Sequence, residues 1–508
     1  MNLDYLWGGF AVALTWQNLL IGLLGCFLGT LIGALPAIGP INGIALLLPI
    51  AYTMGLPPES TMILLAAVYC GAEYGGRISS ILLNVPGDAG AVMTALDGYP
   101  LAKQGRAGEA LAISGISSFV GGVIGALGLA LFAPILSSLA IGFGPAEYFV
   151  LMIFALATLG AMVGSQPVKT LTGCVLGLML ATVGLDATSG AYRFTFGEPE
   201  LGDGIEFVVL VIGLFSISEA LIILENQSAG VTMIRKLGRM TARLDDLRKC
   251  VVPSLRASGI GFVIGVLPGT GASVASAISY TTEKRISDRD GTFGKGDVRG
   301  LAAPEAANNA TARGAFVPML TLGVPGSGTT AVMLGALMLY NIQPGPLLMT
   351  EHPEMVGGLV ASLFIGNLFL LALNLPLVNL FARVLTIPNW LLVPGILVLS
   401  IVGVYSTNAS TLSIYLMLAI GMAGWLLRKL GFDMAPIILG FVLGDVMEIN
   451  MRNALAISGG DLSIFFKSWI SLVLWALAIA VAVLPILLGR RAKRLKERGL
   501  TLDAEAQP

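Results

Sequence analysis

Four short runs place proline and glycine inside apolar sequence. Gly33-Ala34-Leu35-Pro36-Ala37-Ile38-Gly39 resembles Gly265-Val266-Leu267-Pro268-Gly269-Thr270-Gly271, and Asn84-Val85-Pro86-Gly87 resembles Gly323-Val324-Pro325-Gly326. A break of this kind frees backbone N–H and C=O groups that a continuous helix would consume. Free N–H groups at half-helix N-termini suit carboxylate oxygens, while free carbonyls and hydroxyls suit a small cation such as Na+. The candidate substrate and ion ligands therefore include the backbone at Gly39, Pro86, Gly87, Pro268, Gly269, Gly271, Pro325 and Gly326. The polar side chains beside it are Asn42, Asn84, Thr270, Ser273, Ser327, Thr329 and Thr330.

A second set carries charge or amide groups. Arg77 and Arg313 fall within long apolar segments, where a base either attracts an anion or pairs with a carboxylate such as Glu73, Asp88 or Glu305. Glu305, Asn308 and Asn309 recur at i, i+3 and i+4, on one helical face. Such a stripe lines a path for an anion or proton, or caps the entry of its segment at the membrane surface.

Bond-breaking chemistry has little to work with. The chain has one histidine, His352, some 25 residues beyond Ser327, so Ser327 has no nearby base. Asp433 follows Arg428-Lys429, which places it at a membrane surface and not beside Asp445, as a pair of catalytic aspartates would need. The four cysteines (Cys26, Cys70, Cys174 and Cys250) fit neither a metal spacing nor a disulfide framework. No cofactor is expected beyond a coupling ion.

The elements that must position these residues follow from composition. Of 508 residues, 56% are hydrophobic and 12% charged, with a mean hydropathy of +0.86; a soluble domain carries about 25% charged residues. Apolar stretches of about 18–25 residues recur along the chain, each long enough to cross a bilayer. The expected fold is an all-α polytopic membrane protein. A net charge of −1 argues against nucleic acid as a partner. The first Lys or Arg is Arg77, so a signal peptide's positive leader is missing, and the chain is expected to keep its hydrophobic segments.

Lys and Arg of short loops stay cytoplasmic. Residues 225–258 carry Arg235, Lys236, Arg239, Arg243, Arg248, Lys249 and Arg256. Residues 284–299 carry Lys284, Arg285, Arg289, Lys295 and Arg299, and residues 490–498 close the chain with a basic tail. All three are expected inside, and the acidic loops 186–206 and 351–354 outside. Residues 258–280 then have two cytoplasmic flanks and a Pro-Gly break in the middle. They read as a re-entrant hairpin or as a tight kink in an ordinary span. The count comes to about 11 spans plus two hairpins, with Arg193, Arg452 and Lys467 as exceptions to the charge rule.

The second half restates the first. Pro36 and Pro86 are 50 positions apart, Pro268 and Pro325 are 57. Equivalent loops have opposite character: residues 52–60 contain no base where 284–299 contain five, and Lys103 and Arg106 correspond to Glu351 and Glu354. Matching sequence with swapped sidedness implies two inverted repeats, each with a re-entrant hairpin and a broken transmembrane helix, a recurring build of secondary transporters. Repeat 1 spans 1–223, a cytoplasmic linker 224–257, repeat 2 spans 258–488, and a cytoplasmic tail 489–508.

These residues resemble the large membrane subunit of the tripartite tricarboxylate transporters (TctA-type) over most of the chain. The strings that carry the resemblance are Tyr74-Gly75-Gly76, Asn84-Val85-Pro86-Gly87 and Thr94-Ala95-Leu96-Asp97-Gly98-Tyr99-Pro100. In the second half they are Leu267-Pro268-Gly269-Thr270-Gly271-Ala272, Ala303-Pro304-Glu305-Ala306-Ala307-Asn308-Asn309-Ala310 and Leu320-Thr321-Leu322-Gly323-Val324-Pro325-Gly326. The resemblance implies a multi-pass carrier of the bacterial inner membrane with a cytoplasmic C-terminus. Its implied partners are a periplasmic solute-binding protein and a small membrane subunit of about four helices, and its motion elevator-like. It implies citrate, another tricarboxylate or a related small carboxylate as substrate, in symport with Na+ or H+ and without nucleotide. Arg77 departs from it, standing where a small polar residue is common, and Arg299 stands where an acid is common. The competing readings are a solute channel, a carrier for another small anion, and an intramembrane enzyme.

Overall fold

In the computed structural model, residues 4–36, 38–162, 166–186, 188–225, 234, 238 and 240–497 are described. Ala37, the loop bases Arg235, Lys236 and Arg239, and the tail beyond Glu497 lie outside the described residues.

Proline marks the first break of each half. The residue before a proline is disfavoured in helical geometry, and α2 (Trp16–Ala34) ends at Leu35 with ψ 123°. The same happens where α11 (Leu244–Val266) meets Leu267, with ψ 124°. Both end residues donate their N–H three positions back, Leu35 to Ile32 and Leu267 to Ile264. The chain re-enters helix at Gly39, which opens α3 (Gly39–Thr53), and at Gly271, which opens α12 (Gly271–Ser287). Their φ values are +65° and +67°, a region glycine enters freely. The later breaks match as well. After α4 (Pro58–Leu83), Asn84 caps in the left-handed region at φ 58°; after α14 (Phe316–Leu322), Gly323 does so at φ 67°.

In chain order, α1 (Asp4–Ala13) precedes α2, and α5 (Val92–Leu101) follows the break after α4. A π-helical turn bent at Gly105 leads into the 34-residue α6 (Ala107–Ala140). Next come α7 (Pro145–Met162), α8 (Pro167–Ala181) and a small antiparallel ribbon pairing Gly184–Leu185 with Tyr192–Arg193. The first half closes with α9 (Phe207–Val211), a π-helical turn Ile212–Ile217 and α10 (Ser218–Glu225). The second half runs α11, α12, α13 (Val298–Gly314), α14, α15 (Gly328–Leu339), α16 (Leu348–Glu351) and α17 (Pro353–Asn374). It ends with α18 (Val378–Val384), α19 (Asn389–Asn408), α20 (Thr411–Lys429), α21 (Ala435–Ile457) and α22 (Trp469–Glu497). Helix α11 starts at Leu244, inside the segment 224–257 expected as linker; Asp245 and Asp246 in its first turn suit the positive end of the helix.

Among the described residues, seven helical stretches are long and apolar enough to cross a membrane, and five shorter apolar helices accompany them. The chain is a multi-pass, predominantly helical membrane protein. Helices α4 and α13 are absent from those seven because they are the polar centre of the molecule. Every residue of α4 from Ser60 to Leu82 is buried, and so is every residue of α13 except Arg299. Polar groups at membrane depth survive when protein surrounds them. Peripheral helices do the opposite: Trp390, Leu391, Val398 and Leu399 of α19 and Tyr415, Met422 and Leu426 of α20 are exposed, as lipid-facing residues are.

Glycine lets the central helices meet at backbone distance. A Cβ on Gly29 would stand 2.3 Å from the Val68 carbonyl oxygen and one on Gly33 2.0 Å from that of Ala72, which docks α2 on α4. On α11, Gly261 and Gly265 would stand 2.3 and 2.4 Å from the carbonyl oxygens of Ala307 and Thr311 on α13. Small residues at such crossings replace the missing hydrophobic drive inside a bilayer with close packing. Between the halves, Gly121 of α6 meets the Ala306 carbonyl of α13 in the same way. The four cysteines are all buried and unpaired.

Candidate functional site

The breaks gather around one cavity of about 980 Å³, at the upper end of the ~300–1,000 Å³ usual for small-molecule sites. Both halves of the chain line it. From the first break of each half come Gly39 and Asn42, and Gly269, Thr270, Gly271 and Ser273. From the second come Pro86 and Gly87, and Ser327 and Thr329. Five helices begin at this wall: α3 at Gly39, α5 at Val92, α12 at Gly271, α15 at Gly328 and α21 at Ala435. Each such end carries about half a positive charge, and Asp88, Ser327 and Asp433 already accept N–H groups at α5, α15 and α21. At α3 and α12 the N-cap residue makes no side-chain hydrogen bond, and Pro40 leaves the first turn of α3 one N–H short.

The remaining break residues build the turns. Thr270 donates its hydroxyl to the Ile264 and Leu267 carbonyls at 2.6 and 3.1 Å, which finishes α11. The Gly269 N–H donates to Gly326 O at 3.0 Å and ties the two breaks of the second half together. Ser327 and Thr330 form a reciprocal cap on α15: the Thr330 N–H donates to Ser327 Oγ at 3.2 Å, the Ser327 N–H to Thr330 Oγ1 at 2.8 Å. Asn84, Pro268, Pro325, Gly326 and Thr330 shape these turns without lining the cavity. Asn42 donates to Ile38 O, and its Oδ1 is buried without a partner.

Arg77 and Arg313 are fully buried, and neither lines the cavity. Arg77 donates to Tyr74 O at 3.0 Å, Leu111 O at 2.5 Å, Ser114 Oγ at 2.7 Å and Asn374 Oδ1 at 3.3 Å. Arg313 donates to the carbonyl and side-chain oxygens of Asn309 at 3.0 and 2.9 Å and to Asn367 Oδ1 at 3.4 Å. Glu305 accepts from Thr94 Oγ1 at 2.5 Å and Ser118 Oγ at 2.8 Å, bonds that join α13 to the first half. Both amide atoms of Asn308 are buried without a partner.

Sequence reasoning offered Glu73 and Asp88 only as partners for the buried bases and did not place the charged wall of this cavity: Glu73, Asp88, Glu219, Arg428 and Asp433 all line it, with Tyr69. Glu219 and Arg428 form an ion pair between α10 and α20. Asp433 Oδ1 accepts the Ala435 N–H at 3.1 Å at the start of α21. The Tyr69 hydroxyl stands 3.4 Å from Ser327 Oγ and links the halves. The available signal for Glu219 was an acid inside the apolar run 205–223, which marks a functional or paired position.

Four acids against one base make a wall with two tempers. Its helix ends favour a carboxylate, and its side chains favour a cation.

The sequence matches the tripartite tricarboxylate transporter TctA family over residues 19–439. It is 41% identical over 488 residues to an uncharacterised 52.8 kDa protein of the TAR-I ttuC' 3' region of Agrobacterium vitis, covering 96% of this chain and 97% of that protein. An uncharacterised protein of the TAR-II ttuC' 3' region of the same organism is 42% identical over 234 residues, covering 46% of this chain and 97% of that protein. With a family match across most of its length and a relative aligned end to end, the chain belongs to the tripartite tricarboxylate transporter TctA family.

Proposed function

We propose that this chain is the transport subunit of a binding-protein-dependent secondary transporter that moves a tricarboxylate or related small carboxylate in symport with Na+ or H+. The observation that carries the reading is the convergence of five helix N-termini on one cavity to which both halves contribute broken helices. Such ends bind carboxylates, and a site between two halves changes the side it faces when one half moves against the other.

The two halves are inverted repeats in this reading. Equal caps at Leu35 and Leu267, equal glycine φ at Gly39 and Gly271, and equal glycine-to-carbonyl crossings support the repeat. Opposite loop charge supports the inversion. The chain sits in the bacterial inner membrane with its basic C-terminal tail in the cytoplasm. A periplasmic solute-binding protein delivers the substrate, and a small membrane subunit completes the assembly.

The test is uptake of labelled citrate and other carboxylates into liposomes holding the chain and its small partner, with candidate binding proteins added, under separate Na+ and H+ gradients. Saturating uptake that needs the binding protein and a gradient, and collapses in Pro268→Ala and Thr270→Ala, is the expected result. Uptake that ignores gradient and partner makes the protein a channel. No uptake of any carboxylate removes the substrate class.

A further inference from the structure

We propose that Glu73, Asp88 and Asn308 form the site of the coupling cation, placed where the two halves meet. This rests on the symport reading above and names the residues that hold its cation.

Among the charged residues of the cavity wall, three already have work. Glu219 and Arg428 neutralise each other, and Asp433 caps α21. Asp88 uses one oxygen to accept the Ala91 N–H at 2.9 Å ahead of α5. Its other oxygen, Oδ2, is buried without a partner. Glu73 is 3% exposed, makes no ion pair among the described residues, and leaves Oε2 buried without a partner. Asn308 is 0% exposed, and neither atom of its amide has a partner. Native proteins rarely leave such groups unsatisfied, and an absent ion is a standard reason when they do.

The three groups converge. Asp88 Oδ2 stands 1.8 Å from where a Cβ on Gly76 would be, and Gly76 lies one helical turn beyond Glu73 on the same face of α4. Asn308 Oδ1 stands 2.2 Å from the Cβ position of Gly90, in the same short loop as Asp88. The Asn308 side chain also neighbours the Glu73 carboxylate, outside hydrogen-bond geometry. The helix α4, the loop after its break, and α13 of the other half thus each supply an oxygen. Of the other charged groups, the fields of Glu305 and Arg313 on α13 reach the pair, and Arg77 follows Glu73 by one turn on α4. Glu305 is committed to Thr94 and Ser118, and Arg313 to Asn309.

The chemistry follows from the ligands. All are oxygens, which select a hard cation. A monovalent ion, Na+ or H+, held between the two carboxylates cancels one of their two charges. Two carboxylates out of water repel each other and repel any carboxylate brought beside them. A cation bound between them weakens both repulsions, so cation and substrate each raise the other's affinity by the same factor. The loop that carries Asp88 runs directly into the start of α5 at the cavity wall, so the two sites touch.

The test uses the purified full chain in lipid nanodiscs. Its thermal midpoint is measured while NaCl replaces choline chloride at fixed ionic strength, and separately while pH is stepped. Wild type, Glu73→Gln, Asp88→Asn, the double variant and Asn308→Ala are compared, and liposome uptake is measured on the same set. The expected result is that either Na+ or H+ shifts the wild-type midpoint, and that apparent affinity for that ion falls at least about tenfold in each carboxylate variant. A Na+ shift at constant pH identifies sodium; a pH shift without a Na+ effect identifies the proton. In Glu73→Gln, gradient-driven accumulation should be lost while a single cooperative thermal transition remains, which separates a coupling defect from a folding defect. Unchanged ion dependence in the double variant overturns the proposal and leaves the transporter reading standing. A midpoint shift that vanishes in the variants, with no carboxylate uptake by wild type, keeps the cation site and removes the transporter reading. A wild-type midpoint and uptake indifferent to both ions overturns the site.

Discussion

Arg77 spends its whole guanidinium on the protein, holding two carbonyls, a serine and an asparagine from three different helices. Its charge serves as a bolt between α4, α6 and α17 more than as a lure for substrate. Replacing it with methionine keeps much of the volume and strands four buried acceptors. The expected loss is about 2–4 kcal/mol, read as a lower thermal midpoint in detergent, with substrate affinity of the surviving protein unchanged. A variant as stable as wild type but weak in substrate binding would return Arg77 to the anion path. Outside the helices, the Thr188 N–H beside Asp186 holds its carboxyl well below the usual carboxylate range, with Ser189 and Arg452 adding to the effect. A carboxyl shifted down in the folded state contributes stability above its unfolded value of about 3.9 and loses it as pH falls below that value. Hydrogen exchange at residues 188–193, corrected for intrinsic rate, should therefore stay flat from neutrality to about pH 5 and quicken only below about pH 4. An onset near pH 6 would mean that another group controls this ribbon. Both arginines and Glu305 were visible in sequence as charges in apolar surroundings. What they touch was not, because Ser114, Asn374 and Asn367 lie on helices tens to hundreds of residues away.

At the scale of elements, the glycine crossings make a symmetric demand. Gly33→Ala drives a methyl group to 2.0 Å from the Ala72 carbonyl oxygen, and Gly265→Ala drives one to 2.4 Å from that of Thr311. Each should destabilise by about 1–3 kcal/mol through forced separation of packed helices. Gly8→Ala, with nothing within 4 Å, should be silent. Unequal penalties at Gly33 and Gly265 would say that the two crossings are not structural counterparts. The four breaks were legible beforehand, since Pro36 and Pro268 end helices by a local steric rule and Asn84 and Gly323 end them in left-handed caps, neither needing a tertiary partner. Helix faces were not. Central helices surrounded by protein are apolar or small on every side, so they carry little directional pattern. Nothing local told that Glu73 lines the cavity while Arg77, one turn along, does not.

Taken whole, the molecule is two halves sewn together through their polar centres: Thr94 and Ser118 of one reach Glu305 of the other, and Tyr69 meets Ser327. The cavity lies along that seam, which is why its composition could not be read from either half alone. Asp433, placed at a surface by the bases before it, lines the wall because α21 begins there. The burial of all four native cysteines has a practical corollary. Thiols shielded from water react slowly with maleimides, so the unaltered protein is already a silent background for site-directed labelling. Ser273→Cys, at an exposed position of the cavity wall, should take up a water-soluble maleimide while wild type gains no mass. Carboxylate substrate should slow that reaction if it occupies the cavity. A single reporter thiol could then be walked along the seam, turning each wall residue into a readable tag for which side of the membrane it sees.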